Sequence, residues 1–223
     1  MKINVFGDSI LEGVTLENGK YMRKKELMEQ LEKKQGIEII NSSKFGSTID
    51  KGFNKLRRKI EREGLGDYTV LEFGGNDCSY RWDEVAARPE EEHLCLTPPE
   101  KFREFCLEMT DMVRRAGSVP VWASLPPINS KAYLKHICRD GLDESAILRW
   151  LGDVEHIARW QRKYSEDVVS MAEEKGCLLL DLRSAFPKAA ECLKRYLCAD
   201  GIHPNTAGQQ LIYEQALRTL QCV

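Results

Sequence analysis

The sequence predicts an α/β fold in one domain, residues 1–223: a five-stranded parallel sheet with helices on both faces, a three-layer α/β/α sandwich. Two observations carry this. Short, nearly continuous apolar runs alternate with longer stretches of helical period, which argues for parallel strands joined by right-handed helical crossovers. The length of 223 residues suits a single core rather than two.

The strands are read at Lys2–Phe6 (KINVF), Ile37–Ser42 (IEIINS), Tyr68–Phe73 (YTVLEF), Val119–Ser124 (VPVWAS) and Cys177–Leu182 (CLLLDL). Their short, β-branched character suits a sheet buried on both faces. Tyr21–Lys34 is expected to be the first helix, with Leu27, Met28 and Leu31 on its apolar side. Phe53, Leu56 and Ile60 line one face of the second. Phe102–Arg115 follows Thr97-Pro98-Pro99-Glu100, where threonine and proline serve as start signals. Trp150–Lys175 is long enough for a full crossover helix, and Thr206–Leu220 closes the chain. The polar segment Cys78–Pro99, with RWDEVAARPEEEH, is the outlier. It reads either as a solvated loop with a helical turn or as a substrate-facing lid, since open α/β sheets bind ligands beyond strand carboxyl ends.

Composition narrows the function. A formal net charge of −2 gives no footprint for nucleic acid, and the basic run Lys55–Lys59 is balanced by Glu61 and Glu63. No apolar run approaches the ~20 residues of a membrane span. Met1–Phe6 is too short for a secretory signal, so a cytoplasmic protein without membrane insertion is expected. Cys78, Cys95, Cys106, Cys138, Cys177, Cys192, Cys198 and Cys222 lack CxxC spacing; zinc is disfavoured and reduced thiols are expected. His93, His136 and His156 read as surface or helix residues with no shared ligand motif, so no metal is expected.

Chemistry gathers at the ends of the predicted elements. Ser9, in NVFGDSILEGV (Asn4–Val14), follows the first strand. Gly-Asp-Ser alone is common turn chemistry, so both a turn serine and a nucleophile stand until partners are found. Gly46 (NSSKFGST) follows the second strand, Asn76 (FGGND) the third, and Asp200 and His203 (ADGIHPN) precede the last helix. A serine hydroxyl needs a base within hydrogen-bond reach, and histidine titrates near neutrality. An aspartate three residues before it can orient the imidazole through Nδ1. The Ser9 and Gly46 N–H groups and the Asn76 amide are candidate donors to a developing oxyanion, with Gly46 leaving room for close approach.

With GDSI at the amino terminus, a glycine after the second strand, GGND after the third and DGIHP near the end, the chain resembles the SGNH (GDSL) hydrolase family. The blocks run in family order from Gly7 to Pro204. Members are esterases, lipases, thioesterases and carbohydrate acetylesterases on a flavodoxin-like three-layer fold. The resemblance implies Ser9 as nucleophile, Gly46 and Asn76 beside Ser9 in the oxyanion hole, Asp200 orienting, His203 as base, and no cofactor. Cys78–Pro99 and Lys131–Ser145 do not match, and Leu11-Glu12-Gly13 fits loosely.

The expected activity is hydrolysis of a small-molecule carboxylic ester through an acyl-enzyme. Short acyl groups such as acetate on a sugar are favoured, because Cys78–Pro99 is polar and no apolar lid stands out. An acyl-thioesterase or a lysophospholipase-like lipase is the alternative, and a noncatalytic module on the same fold is less expected because the whole residue set is present. A nucleotide-binding protein is disfavoured, since GDSILEG has neither G-x-G-x-x-G nor a Walker lysine. Asp8 and Asp77 read as structural turn residues, Cys78 as an inert or pocket-lining thiol, and Pro126-Pro127-Ile128 most simply as a rigid loop, with a pocket wall as the alternative that its end of the sheet allows.

Overall fold

Apolar side chains of alternating direction decide the layering. The computed structural model describes residues 1–221. In chain order its elements are β1 (Lys2–Gly7), β2 (Val14–Glu17), β3 (Lys20–Arg23), α1 (Glu26–Gln35), β4 (Glu38–Asn41), α2 (Ile49–Glu63) and β5 (Tyr68–Glu72). There follow α3 (Trp82–Ala87), α4 (Pro99–Arg115), β6 (Val119–Ala123), α5 (Ser130–Cys138), α6 (Glu144–Leu151) and α7 (His156–Glu174). The chain ends through β7 (Leu178–Leu180), α8 (Leu182–Ala185), α9 (Ala190–Leu193) and α10 (Thr206–Leu220).

Five strands form a parallel sheet in the order β4-β1-β5-β6-β7. Because successive strand residues point to opposite faces, Phe6 of β1 joins one core and Ile3 and Val5 the other. On the first face, α2, α4 and α7 bring Leu56, Met109 and Val168 against Phe6, Leu71 and Trp122. On the second, α1 and α10 bring Leu31, Ile212 and Tyr213 against Ile3, Val5 and Val121. The expected α/β architecture is therefore observed. The chain leaves β1 for β4 on one side and returns to β5 on the other. That reversal opens a crevice beyond the carboxyl ends of β1 and β5, where such sheets bind ligands.

Three local expectations are corrected. The expected helix Tyr21–Lys34 begins only at Glu26, and Tyr21–Arg23 lie in β3, paired antiparallel with β2. Asn18 and Gly19 both take positive φ, 49° and 75°, the two left-handed residues of a type I′ hairpin turn. The expected helix Trp150–Lys175 is two helices, broken at Gly152 (φ 76°). Thr97 does not cap α4; its hydroxyl donates to Asp77 Oδ1 at 2.6 Å, while Pro99 takes the first helical position. The seven described cysteines are free thiols; Cys222 lies outside the described residues.

Candidate active site

The turn after β1 is built by Asp8. Its Oδ1 accepts the Ile10 N–H at 2.9 Å and its carbonyl accepts the Glu12 N–H at 3.1 Å. This side-chain turn sets Ser9 at the carboxyl end of the sheet's central region, 7% exposed.

The partner arrives from the far end of the chain. Asn205 caps α10 by accepting the Ala207 and Gly208 N–H groups at 3.0 and 3.1 Å, fixing the join just after His203. The Cys198 N–H donates to the His203 carbonyl at 2.7 Å. Gly201 (φ 75°) lets the loop seat on α5, because a Cβ there would lie 2.6 Å from the Asn129 carbonyl oxygen. The Asn129 N–H in turn donates to the Gly201 carbonyl at 2.8 Å.

The result joins three side chains named from sequence. Ser9 Oγ and His203 Nε2 lie 2.8 Å apart, and His203 Nδ1 and Asp200 Oδ2 lie 2.7 Å apart. An ionised carboxylate only accepts, so Nδ1 carries the hydrogen and Nε2 is left to accept from the serine hydroxyl. Asp200 Oδ1 also accepts the Ile202 and His203 N–H groups, both at 3.1 Å. Burial pulls the Asp200 carboxyl up, but the His203 hydrogen bond and charge with these N–H donors prevail and hold it below its ordinary value. Phe45 stacks on the imidazole at 5.7 Å between centroids and Tyr21 meets it edge-on at 5.2 Å.

The three groups expected from sequence to be oxyanion donors come from three loops. Among the described residues, neither the Ser9 nor the Gly46 N–H donates to a protein acceptor. Within the protein, a Cβ on Gly46 would meet nothing within 4 Å; its φ of 68° is what selects glycine. The Asn76 amide is already engaged, with Nδ2 donating to Asp8 Oδ2 at 3.0 Å and to the Ser47 carbonyl at 3.1 Å. Asp77 is turned away from Ser9. It accepts Ile49 N–H, the Thr97 hydroxyl and Gly74 N–H, tying α2 and two loops together. Burial raises its pKa to about 6.

A cavity of about 500 Å³ opens from Ser9 and His203. Its walls include Tyr80, Trp82, Tyr133 and Trp160 with Leu125, Ile128 and Leu151. Pro126 and Ile128 line it, the alternative reading of that loop, and Cys78 reaches it as a thiol whose pKa burial pushes up. His136, read from sequence as a surface or helix residue, stands on the rim and meets the Tyr21 hydroxyl through Nε2 at 3.0 Å. Sequence reasoning missed Tyr21, Phe45 and His136; the Asn18-Gly19 turn was the one signal that places Tyr21 near the site. Among the described residues no three His, Cys, Asp or Glu side chains gather as a metal ligand set.

The model of the GDSL-like Lipase/Acylhydrolase family matches residues 5–211, spanning Ser9 through His203. The chain belongs to this family. GDSL-like enzymes are in general ester hydrolases, and solved structures from the same group share the fold. The lipase/acylhydrolase from Enterococcus faecalis is 19% identical, with a TM-score of 0.66 over 99% of this chain and 95% of its own. A member of the lipolytic G-D-S-L family from Veillonella parvula gives 15% and 0.67 over 100% and 99%. The psychrotrophic esterase EstA from Pseudoalteromonas sp. gives 15% and 0.63 over 99% and 97%. At these identities the likeness is one of fold. No curated protein matches the chain. Among the described residues no helix is long and apolar enough to cross a membrane.

Proposed function

We propose that this GDSL-like protein is a serine esterase that hydrolyses small-molecule carboxylic esters through an acyl-enzyme. The observation that carries the reading is the hydrogen-bonded chain Ser9–His203–Asp200, closed at 2.8 and 2.7 Å. His203 Nε2 takes the Ser9 proton as Oγ attacks the carbonyl carbon. Asp200, charged and buried, stabilises the imidazolium so formed. The unpaired Ser9 and Gly46 N–H groups receive the oxyanion, and Asn76 joins them when its Nδ2 exchanges the Ser47 carbonyl for the new charge. The imidazolium then protonates the leaving alcohol. A water deprotonated by the same Nε2 attacks the acyl-enzyme, and collapse returns the proton to Ser9 Oγ. No step calls on a cofactor.

The cavity refines the substrate. An acetyl ester on a sugar was expected because Cys78–Pro99 is polar in sequence. Tyr80 and Trp82 of that segment instead face the cavity, beside Tyr133 and Trp160. An aromatic and aliphatic wall of this kind favours an apolar acyl group longer than acetyl, whose burial is worth about 0.8 kcal/mol per methylene. The same attack serves a thioester.

One comparison tests the reading: p-nitrophenyl acetate, butyrate, octanoate and decanoate beside acetylated sugars and acyl thioesters. We expect kcat/KM to rise from acetate to a medium-length chain, and a Ser9→Ala variant that folds but does not turn over. Highest activity on acetylated sugars would reject the acyl-chain reading. Full activity in Ser9→Ala would reject the nucleophile.

A further inference from the structure

Three carboxyl groups lie buried beneath Ser9: Asp8, Glu72 and Asp77 are 2%, 0% and 0% exposed. Among the described residues none of them pairs with a lysine or arginine. Asp77 has its three donors. Asp8 and Glu72 adjoin, the Asp8 backbone N–H facing the Glu72 carboxyl. Glu72, the last residue of β5, accepts the Asp8 N–H through Oε2 at a long 3.3 Å, and its Oε1 has no partner. Gly7 makes this closeness feasible, because a Cβ there would lie 3.0 Å from Glu72 Oε2.

Two carboxylates in contact away from water cannot both ionise, so the pair keeps a proton. Hydrogen bonding decides which member holds it. Both Asp8 oxygens accept, from Ile10 N–H and from Asn76 Nδ2, which favours the charged form. Glu72 has one weak donor and one bare oxygen, so its charge would go uncompensated. The remaining groups around the pair agree. Burial raises Asp8 while the Ile10 N–H, Glu72, His203 and Asn76 draw it down, and burial together with the Asp8 and Asp77 charges lifts Glu72 well above its ordinary value. Ser43 Oγ, buried and unpartnered, is the other polar atom close by.

We infer that Glu72 is a neutral acid that donates to Asp8, and that the Asp8 carboxylate fixed in this way holds the Asn76 amide beside Ser9. Glu72 is then a positioning residue for the oxyanion donor, acting through Asp8, with both carboxyls at the wall of the cavity. This inference rests on Asn76 being such a donor.

The test is a double-mutant cycle on ester turnover, with folding followed by circular dichroism. Glu72→Leu should lower kcat by about tenfold with KM unchanged, as a misplaced rather than deleted oxyanion donor would. Glu72→Gln keeps a hydrogen to give Asp8 and should stay within about threefold of wild type. In an Asn76→Ala background, Glu72→Leu should cost nothing further, since both act through one amide. If the two losses add while Asn76→Ala alone is slow, this inference falls and the oxyanion reading stands. If Asn76→Ala alone keeps full kcat, the oxyanion reading falls and takes this role of Glu72 with it. Should Glu72→Leu not fold, infrared spectra of wild type and Glu72→Gln decide. The wild type should show at neutral pH a protonated-carboxyl C=O band that Glu72→Gln lacks; identical spectra overturn the inference.

Discussion

Asp200 and Asp8 stand on either side of Ser9, both buried, 0% and 2% exposed, and their surroundings drive them in opposite directions. Burial pulls both carboxyls up. Asp200 faces an imidazole that can become positive and two backbone N–H groups, and it ends below its ordinary value. For Asp8 burial outweighs the Ile10 N–H, the Glu72 carboxyl, the His203 charge and the Asn76 amide, all of which draw it down, and it ends above. The donors that face each acid, set against the cost of its burial, decide where it ends. On the proposed mechanism one aspartate stays charged against an imidazolium formed during turnover. On the inference drawn for Glu72 the other holds an amide still.

The contrast can be broken by the same substitution at each position. Asp200→Asn should lower kcat by about 10⁴-fold, because an amide donating to Nδ1 selects the tautomer in which Nε2 cannot take the Ser9 proton. Asn76→Ala, which removes the amide that Asp8 holds, should cost about 10²–10³-fold in kcat. Asp8→Asn should cost about tenfold, since an amide oxygen can still accept from one of its donors and the Ser9–His203 contact is untouched. Saturating rates on one p-nitrophenyl ester, on variants with wild-type circular dichroism, give all three numbers. Equal losses at Asp200 and Asp8 would erase the distinction between them.

What the sequence made legible follows the same division between local and long-range causes. The five core strands are readable because each is a short apolar run buried on both faces, as in Val119–Ala123. Ser9, Gly46, Asn76, Asp200 and His203 are readable because topology sends the ends of parallel strands to one edge and a D-x-x-H turn is local. The β2–β3 hairpin was hidden by Leu27, Met28 and Leu31, whose helical spacing invited extension of α1 back through Tyr21, although Asn18-Gly19 signals a turn. Phe45 and His136 come from segments whose position depends on packing against His203 and Tyr21, and no periodicity carries that. Glu72 looks like one more residue of a buried strand, and nothing in the sequence pairs it with Asp8, 64 residues earlier.

The smallest effect lies in stability against pH, and it separates the two acids without any assay of turnover. Asp200 has a depressed pKa, so its contribution is complete above its ordinary value of 3.8 and is lost as pH falls through the folded value. Glu72 has a raised one, so its contribution is complete below its ordinary value of 4.5 and fades as pH rises toward the folded value. Above pH 4.5 the unfolded chain releases a proton that folded Glu72 keeps, and wild-type stability declines for that reason. Glu72→Gln has no such proton. The Tm of Glu72→Gln minus that of wild type should therefore climb as pH is raised from 4.5 toward the folded value. For Asp200→Asn the difference should instead grow less unfavourable as pH drops below 3.8, where the wild type loses its own ion pair. Parallel Tm profiles for wild type and Glu72→Gln would mean that Glu72 titrates in the folded protein as it does in the unfolded chain. The proton shared with Asp8 would then have to be abandoned.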